Sequence, residues 1–229
     1  MTTDLANVIV SKPWGWEYLI YETEDMALWL LHIEQWKSTS LHCHPKKTTG
    51  FLLLSGEALV EFIADSKVIT APAKEMFRRG LFHKTTAISE GGVFVLEAEN
   101  PNDKKDLVRL KDDHGRSSKG YESGENMSMK TGEEIQIPSS LDEAIYIEEN
   151  EFSFAVEPVE SLEFFQSVGE ADIILFLSGG FGKIVDGRRH SATVPGDIGL
   201  GGIVSQVADQ MEFLEPGTKI LRVKVGSNP

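Results

Sequence analysis

Ser40-Leu41-His42-Cys43-His44, followed by Phe51-Leu52-Leu53-Leu54-Ser55-Gly56-Glu57, decides how this chain is read. His42 and His44 stand two residues apart. In a β-strand that spacing puts both imidazoles on one face, because successive side chains alternate. Cys43 then points the other way and reads as a small apolar residue. Phe51 to Leu54 reads as a buried strand ended by a turn at Ser55-Gly56. His83 follows Arg78-Arg79-Gly80-Leu81-Phe82, a glycine-containing turn that enters another strand. Three imidazoles converging from two strands make a candidate site for a divalent metal ion.

Working outward, short strands recur at regular spacing with turn residues between them. Val8-Ile9-Val10 and Trp14 to Ile20 flank a bend at Pro13, and Met26 to Glu34 is a strongly apolar strand. Pro45 to Gly50 reads as a loop, Ala58 to Ile63 as a returning strand, and Pro72-Ala73-Lys74-Glu75 as a turn. Val93 to Glu99 is a further strand after Gly91-Gly92. Such a pattern predicts a β-sandwich or barrel. Asn100 to Gly132 is polar and reads as an excursion or linker, and Ser139 to Ala144 carries the signals of a short helix.

The second half repeats the first faintly. Ile173 to Gly180 echoes Phe51 to Glu57, Asp186-Gly187 is a hairpin signal, and Val194-Pro195-Gly196-Asp197 echoes the turn at Pro72. Setting Gly56 over Gly179 is an offset of 123, which places His42 over Phe165 and His44 over Ser167. Setting Lys74 over Gly196 is an offset of 122, which places His83 over Ser205. The repeat keeps strands and turns and loses all three imidazoles. A single enlarged sandwich is the alternative, since β-hairpin grammar alone produces echoes this faint.

The His-x-His strand, the following strand ending in Ser-Gly-Glu, and the Gly-x-x-His turn resemble the two motifs of the cupin superfamily. Lys12-Pro13-Trp14-Gly15-Trp16-Glu17 and the stretch Asp106 to Arg116 look like sugar-phosphate-isomerase-like cupins, similar to the cupin portion of type II mannose-6-phosphate isomerases. The resemblance covers about residues 10–116. With the internal repeat it implies an all-β bicupin: two double-stranded β-helix (jelly-roll) modules with few short helices. Residues 1–116 would carry the metal site, and residues 117–229 a linker and a degenerate second module. Two departures stand out. The cupin pattern places a glutamate ligand seven residues before the glycine of the turn, where this chain has Thr49. Arg79 stands where the family usually has proline. The site is then three-His, or recruits another carboxylate, or holds no metal.

The resemblance implies metal ligation by His42, His44 and His83, with Zn, Fe, Mn or Ni as the ion. Isomerisation or epimerisation beside a carbonyl also needs a base, for which Glu97, Glu61 and Glu17 are the candidates. Lys46, Lys47, Arg79 and Lys84 are candidates to meet an anionic group on the substrate. Three functions compete: a metal-dependent isomerase or epimerase of a sugar or sugar phosphate, a three-His iron dioxygenase, and a non-catalytic carbohydrate-binding or regulatory cupin.

The net charge is −14, with 13 Lys/Arg against 17 Asp/Glu in residues 1–115 and 9 against 19 thereafter. That balance argues against nucleic acid or an anionic membrane as partner and leaves a small anionic sugar-like molecule, drawn by the local basic residues. A single cysteine forbids an intrachain disulfide and fits a reducing cytoplasm. The N-terminal residues lack the pattern of a signal peptide. A homodimer is left open.

Overall fold

A computed structural model describes residues 5–111 and 126–225. It divides into two compact units, Met1–Ile137 and Pro138–Pro229. The expected boundary at 116/117 lies outside the described residues, as does His114.

Among the described residues the first unit is built of strands, with a turn of 3₁₀ helix at Leu5–Asn7 before the first of them. Its strands are β1 (Val8–Lys12), β2 (Gly15–Glu22), β3 (Ala27–Ile33), β4 (Leu41–Cys43), β5 (Thr48–Ser55), β6 (Glu57–Phe62), β7 (Ser66–Thr70), β8 (Ala73–Phe77), β9 (His83–Ala87), β10 (Val93–Asn100), β11 (Val108–Lys111) and β12 (Met127–Met129). They form two sheets, ordered β12-β1-β2-β3-β10-β5-β8 and β11-β4-β9-β6-β7. From β5 onward the chain crosses repeatedly between sheets: β5 in one, β6 and β7 in the other, then β8, β9 and β10 in alternation. That winding, antiparallel throughout, is a double-stranded β-helix.

Alternation fixes what the barrel contains. Trp29, Leu31 and Ile33 of β3, Phe51 and Leu53 of β5, and Val93 and Val95 of β10 share one face. They meet Ala58, Val60 and Ala87 of the other sheet in one buried cluster. Each Val, Leu, Ile or Phe among them contributes roughly 1.5–3 kcal/mol on burial. The same faces continue past the apolar cluster into polar residues: Glu97 and Glu99 on β10, Thr49 on β5, and Thr85 and His83 on β9. One end of the barrel is therefore an oily plug and the other a polar mouth.

Two expected turns are strands. Thr48 to Gly50 belongs to β5, where the β-branched threonines are held between β10 and β8. Ala73 to Glu75 belongs to β8, so the turn is confined to Ala71-Pro72. The helix expected at Ser139 to Ala144 does not form. So short a segment has no apolar face to bury and cannot offset the cost of nucleation.

The second unit has β13 (Ile145–Glu148), β14 (Ser153–Pro158), β15 (Ile173–Ser178), β16 (Phe181–Val185), β17 (Arg188–Ser191), β18 (Ile198–Leu200), β19 (Phe213–Leu214) and β20 (Lys219–Val223). The sheets run β13-β14-β20-β15-β18 and β17-β16-β19. The pairings β3-β10-β5-β8 and β7-β6-β9 of the first unit thus recur as β14-β20-β15-β18 and β17-β16-β19. The chain is all-β, and the strand order of the double-stranded β-helix recurs in its second unit. The hairpin at Asp186-Gly187 has both residues at positive φ, 51° and 71°, as a two-residue turn between twisted strands requires. Among the described residues no strand of the second unit corresponds to β4. Between β14 and β15 lies a 3₁₀ helix, Leu162–Ser167, and between β18 and β19 lies α1 (Gly201–Ala208). The segment that carries His42 and His44 in the first unit is a 3₁₀ helix in the second, and α1 occupies the connection that leads to His83 in the first. Phe165 is fully buried and packs on Phe176 and Phe181 at 5.9 and 5.3 Å between ring centroids. No helix among the described residues is long and apolar enough to cross a membrane.

Candidate metal centre

His42 on β4 stands directly opposite His83 on β9, and His44 follows immediately after β4. The three rings meet with centroids 4.5, 5.0 and 5.6 Å apart. Each Nδ1 lies against a backbone carbonyl: Ser40 for His42 at 2.7 Å, Asp106 for His44 at 2.6 Å, and Leu81 for His83 at 3.0 Å. A carbonyl only accepts, so each Nδ1 bears the proton and donates it. Each Nε2 is left with its lone pair, and the Nε2 of His83 is buried with no hydrogen-bond partner. One potential ligand atom from each ring lies within 4.8 Å of the other two. Imidazoles held at Nδ1 by carbonyls and convergent at the other nitrogen are the arrangement in which histidines ligate metal. Phe77 stacks on the His83 ring at 3.9 Å and 17° and fixes its plane from below.

The protonation states fit as well. Burial, then the charge of His44, pushes His42 down to about 3. Burial, then Lys47, pushes His44 down to about 3. Burial, then His42, holds His83 well below the ordinary histidine range. Neutral imidazoles at pH 7 are what a metal ion requires. The residues present fit a divalent ion. No carboxylate oxygen of the described residues lies within that distance of all three nitrogens.

The polar mouth opens to solvent around a small cavity of about 60 Å³. Glu17, Glu97 and Glu99 line it, together with Lys12, Lys47, Lys104 and Arg109. Lys47 and Glu99 are almost wholly buried, 1% and 2% exposed, and pair at 2.9 Å. Lys104 reaches Glu17 at 3.1 Å and Glu99 at 3.3 Å and sits 3.7 Å above the centre of the Trp29 ring. Burial works against the Lys104 charge, but Glu17, Glu99 and Glu97 outweigh it and hold the amine above its usual range. Burial raises Glu97 to about 7, opposed by Lys104 and reinforced by Glu99 and Glu17. It is a carboxyl poised to take or give a proton near neutrality.

Of the residues expected from sequence, the structure brings His42, His44, His83, Glu17, Glu97 and Lys47 to this mouth. Lys47 is already matched by Glu99. Glu61 and Lys84 lie elsewhere. Ala58 and Val60 of β6 face inward, so Glu61 faces out and pairs with Lys84 at 3.6 Å. The correction to both follows from strand parity. Lys46 and Arg79 are exposed on turns and do not line the cavity. The structure adds Lys12, Glu99, Lys104 and Arg109 to the mouth, with Asp106 beside it. Glu97-x-Glu99 carries the same two-residue spacing as His42-x-His44, which is the signal that finds Glu99. Thr49 is 0% exposed, faces the barrel interior beside Glu99, and its Oγ1 has no hydrogen-bond partner.

No family model and no curated protein matches the chain. Among solved structures it is similar to an uncharacterised conserved protein with a double-stranded β-helix domain from Klebsiella pneumoniae, at 15% identity and TM-score 0.39, over 42% of this chain and 84% of that one. KdgF from a Halomonas species aligns at 13% identity and TM-score 0.38, over 40% and 84% of the two chains. The capsular polysaccharide assembling protein CapF of Staphylococcus aureus aligns at 16% and 0.41, over 45% and 34%. Function has to be read from the residues of the site.

Proposed function

We propose that the first unit is a metal-dependent isomerase or epimerase acting on a small anionic sugar, with a sugar phosphate the favoured class. The observation that carries this reading is the placement of a carboxyl poised near pH 7, Glu97, in the same mouth as three convergent imidazole Nε2 atoms. His42, His44 and His83 would hold Zn, Fe, Mn or Ni, and the ion would polarise a substrate carbonyl oxygen, acidifying the neighbouring C–H. Glu97 takes that proton and returns it at the adjacent carbon, which is isomerisation; epimerisation would need a second group to deliver a proton to the opposite face of the same carbon. Glu17 and Glu99 raise its basicity by their charge, and Lys104 tempers them. Four cations, Lys12, Lys47, Lys104 and Arg109, face the carboxylates Glu17 and Glu99 and the half-ionised Glu97. The mouth is therefore net positive in a chain of net charge −14. That contrast draws an anion to it.

The test has two parts. Elemental analysis gives about one divalent ion per chain, abolished by His42→Ala with His44→Ala. Aldose and ketose phosphates incubated in D₂O exchange the hydrogen next to the carbonyl, and Glu97→Gln stops the exchange while metal remains. Metal retention without exchange on any sugar phosphate refutes the isomerase. Thr49, neutral where a carboxylate ligand is expected, favours a three-His iron dioxygenase as the second reading. Oxygen uptake by the Fe(II)-loaded protein would establish it.

A further inference from the structure

Asp106 is buried on the segment between β10 and β11, some sixty residues from β4 in sequence, yet it holds the end of β4 from two sides. Its backbone carbonyl accepts the Nδ1–H of His44 at 2.6 Å. Its carboxylate Oδ2 accepts the backbone N–H of Lys46 at 2.8 Å and of Lys47 at 2.9 Å. Its own N–H donates to the carbonyl of Asp103 at 3.2 Å. One residue thus orients the ring of His44 with its main chain and pins the backbone just beyond that ring with its side chain. The carbonyl of His44 in turn accepts the N–H of Gly80, in the turn that leads to His83. His44 therefore joins the segments that carry the other two imidazoles.

We infer that Asp106 is the positioning residue of the metal site: its carboxylate sets the backbone after His44 so that the ring, steered by the Asp106 carbonyl, presents Nε2 to the ion. The inference rests on the metal reading above. Outer partners of this kind change metal affinity about 10- to 100-fold when removed.

Cobalt(II) is the probe. The wild-type chain is titrated with Co²⁺, following the visible d–d bands, and the same is done for Asp106→Ala, Asp106→Asn and Asp103→Ala. Asp106→Ala lowers Co²⁺ affinity about 10- to 100-fold and alters the bands. Asp106→Asn, which keeps a side-chain acceptor, retains affinity within about threefold. Asp103→Ala, on the same segment, binds as wild type. A merely structural aspartate would lower the melting temperature and leave the bands of the loaded protein unchanged, and that result overturns the inference. So does an equal loss from Asp103→Ala. Where Asp106→Ala fails to fold, Asp106→Glu takes its place: its longer side chain displaces the loop, and unchanged Co²⁺ affinity overturns the assignment. A wild-type chain that binds no Co²⁺ sinks the metal reading and this inference with it; wild-type binding with an unaffected Asp106→Ala sinks this inference alone.

Discussion

Replacing Lys47 by methionine keeps the aliphatic stem and deletes the charge. The stem stays packed. The Nζ loses its 2.9 Å contact with Glu99 Oε1 and its 3.2 Å contact with the Asp103 carbonyl. Glu99 is left 2% exposed, with its other oxygen, Oε2, already lacking a hydrogen-bond partner. Removing one partner of a buried pair costs about 3–5 kcal/mol, because the surviving charge stays out of water. Lys104 remains 3.3 Å from Glu99 but is shared with Glu17 at 3.1 Å, so we expect the lower end, about 3 kcal/mol. Adding Glu99→Gln removes the stranded charge and restores most of the loss, a coupling of at least about 2 kcal/mol. Urea unfolding followed by tryptophan fluorescence measures this cleanly. All four tryptophans, Trp14, Trp16, Trp29 and Trp36, belong to the first unit, so the signal reports that unit. A single-variant cost below about 1 kcal/mol, the range of a solvated pair, or a double variant no better than the single, would refute the claim that this pair is desolvated.

Acid should destabilise the first unit through its histidines as pH falls below 6.5. His42 and His44 are pushed to about 3 in the fold, so the stability they contribute is complete above the unfolded value of 6.5 and drains away as pH falls below it. Each contributes a slope approaching about 1.4 kcal/mol per pH unit. Glu97 works the other way: raised from 4.5 to about 7, it adds stability as pH falls through 7, and Glu97→Gln should make the acid loss between pH 7 and 5 steeper in the same fluorescence assay. Phe77→Leu removes the ring stacked on His83 and should lower Co²⁺ affinity with a stability loss of about 1–2 kcal/mol, measured by titration and urea midpoint. Gly80→Ala should cost about 1 kcal/mol, since φ is 74° but no atom lies within 4 Å of a new Cβ. Gly92→Ala should cost several-fold more, because its Cβ would collide with the Ile33 carbonyl oxygen as well as straining a φ of 87°.

Strands of both units are legible in the sequence where a continuous apolar run ends at turn residues, as in Phe51 to Leu54 and Ile173 to Leu177, which are buried on both faces. Errors gathered where threonine, glycine and proline read as loop. Thr48 to Gly50 is strand because β10 and β8 flank it, and Ala73 to Glu75 is strand because it pairs with β5 at the sheet edge; no local pattern announces either. The outward placement of Glu61 follows from Val60 facing the core, a choice of register that alternation alone leaves twofold ambiguous.

By itself, the sequence determined that His42 and His44 share a face, that the second half lacks the imidazoles, and that Glu97 lies on a strand. Local period and residue type suffice for that. Only the tertiary structure decided that Lys104, Asp106 and Arg109, from one segment after β10, meet β4 at the barrel mouth. It also decided that Glu97 is poised near neutrality and that Lys47 is matched by Glu99. These are properties of distance and desolvation between residues far apart in the chain, and neither quantity is written in the order of the amino acids.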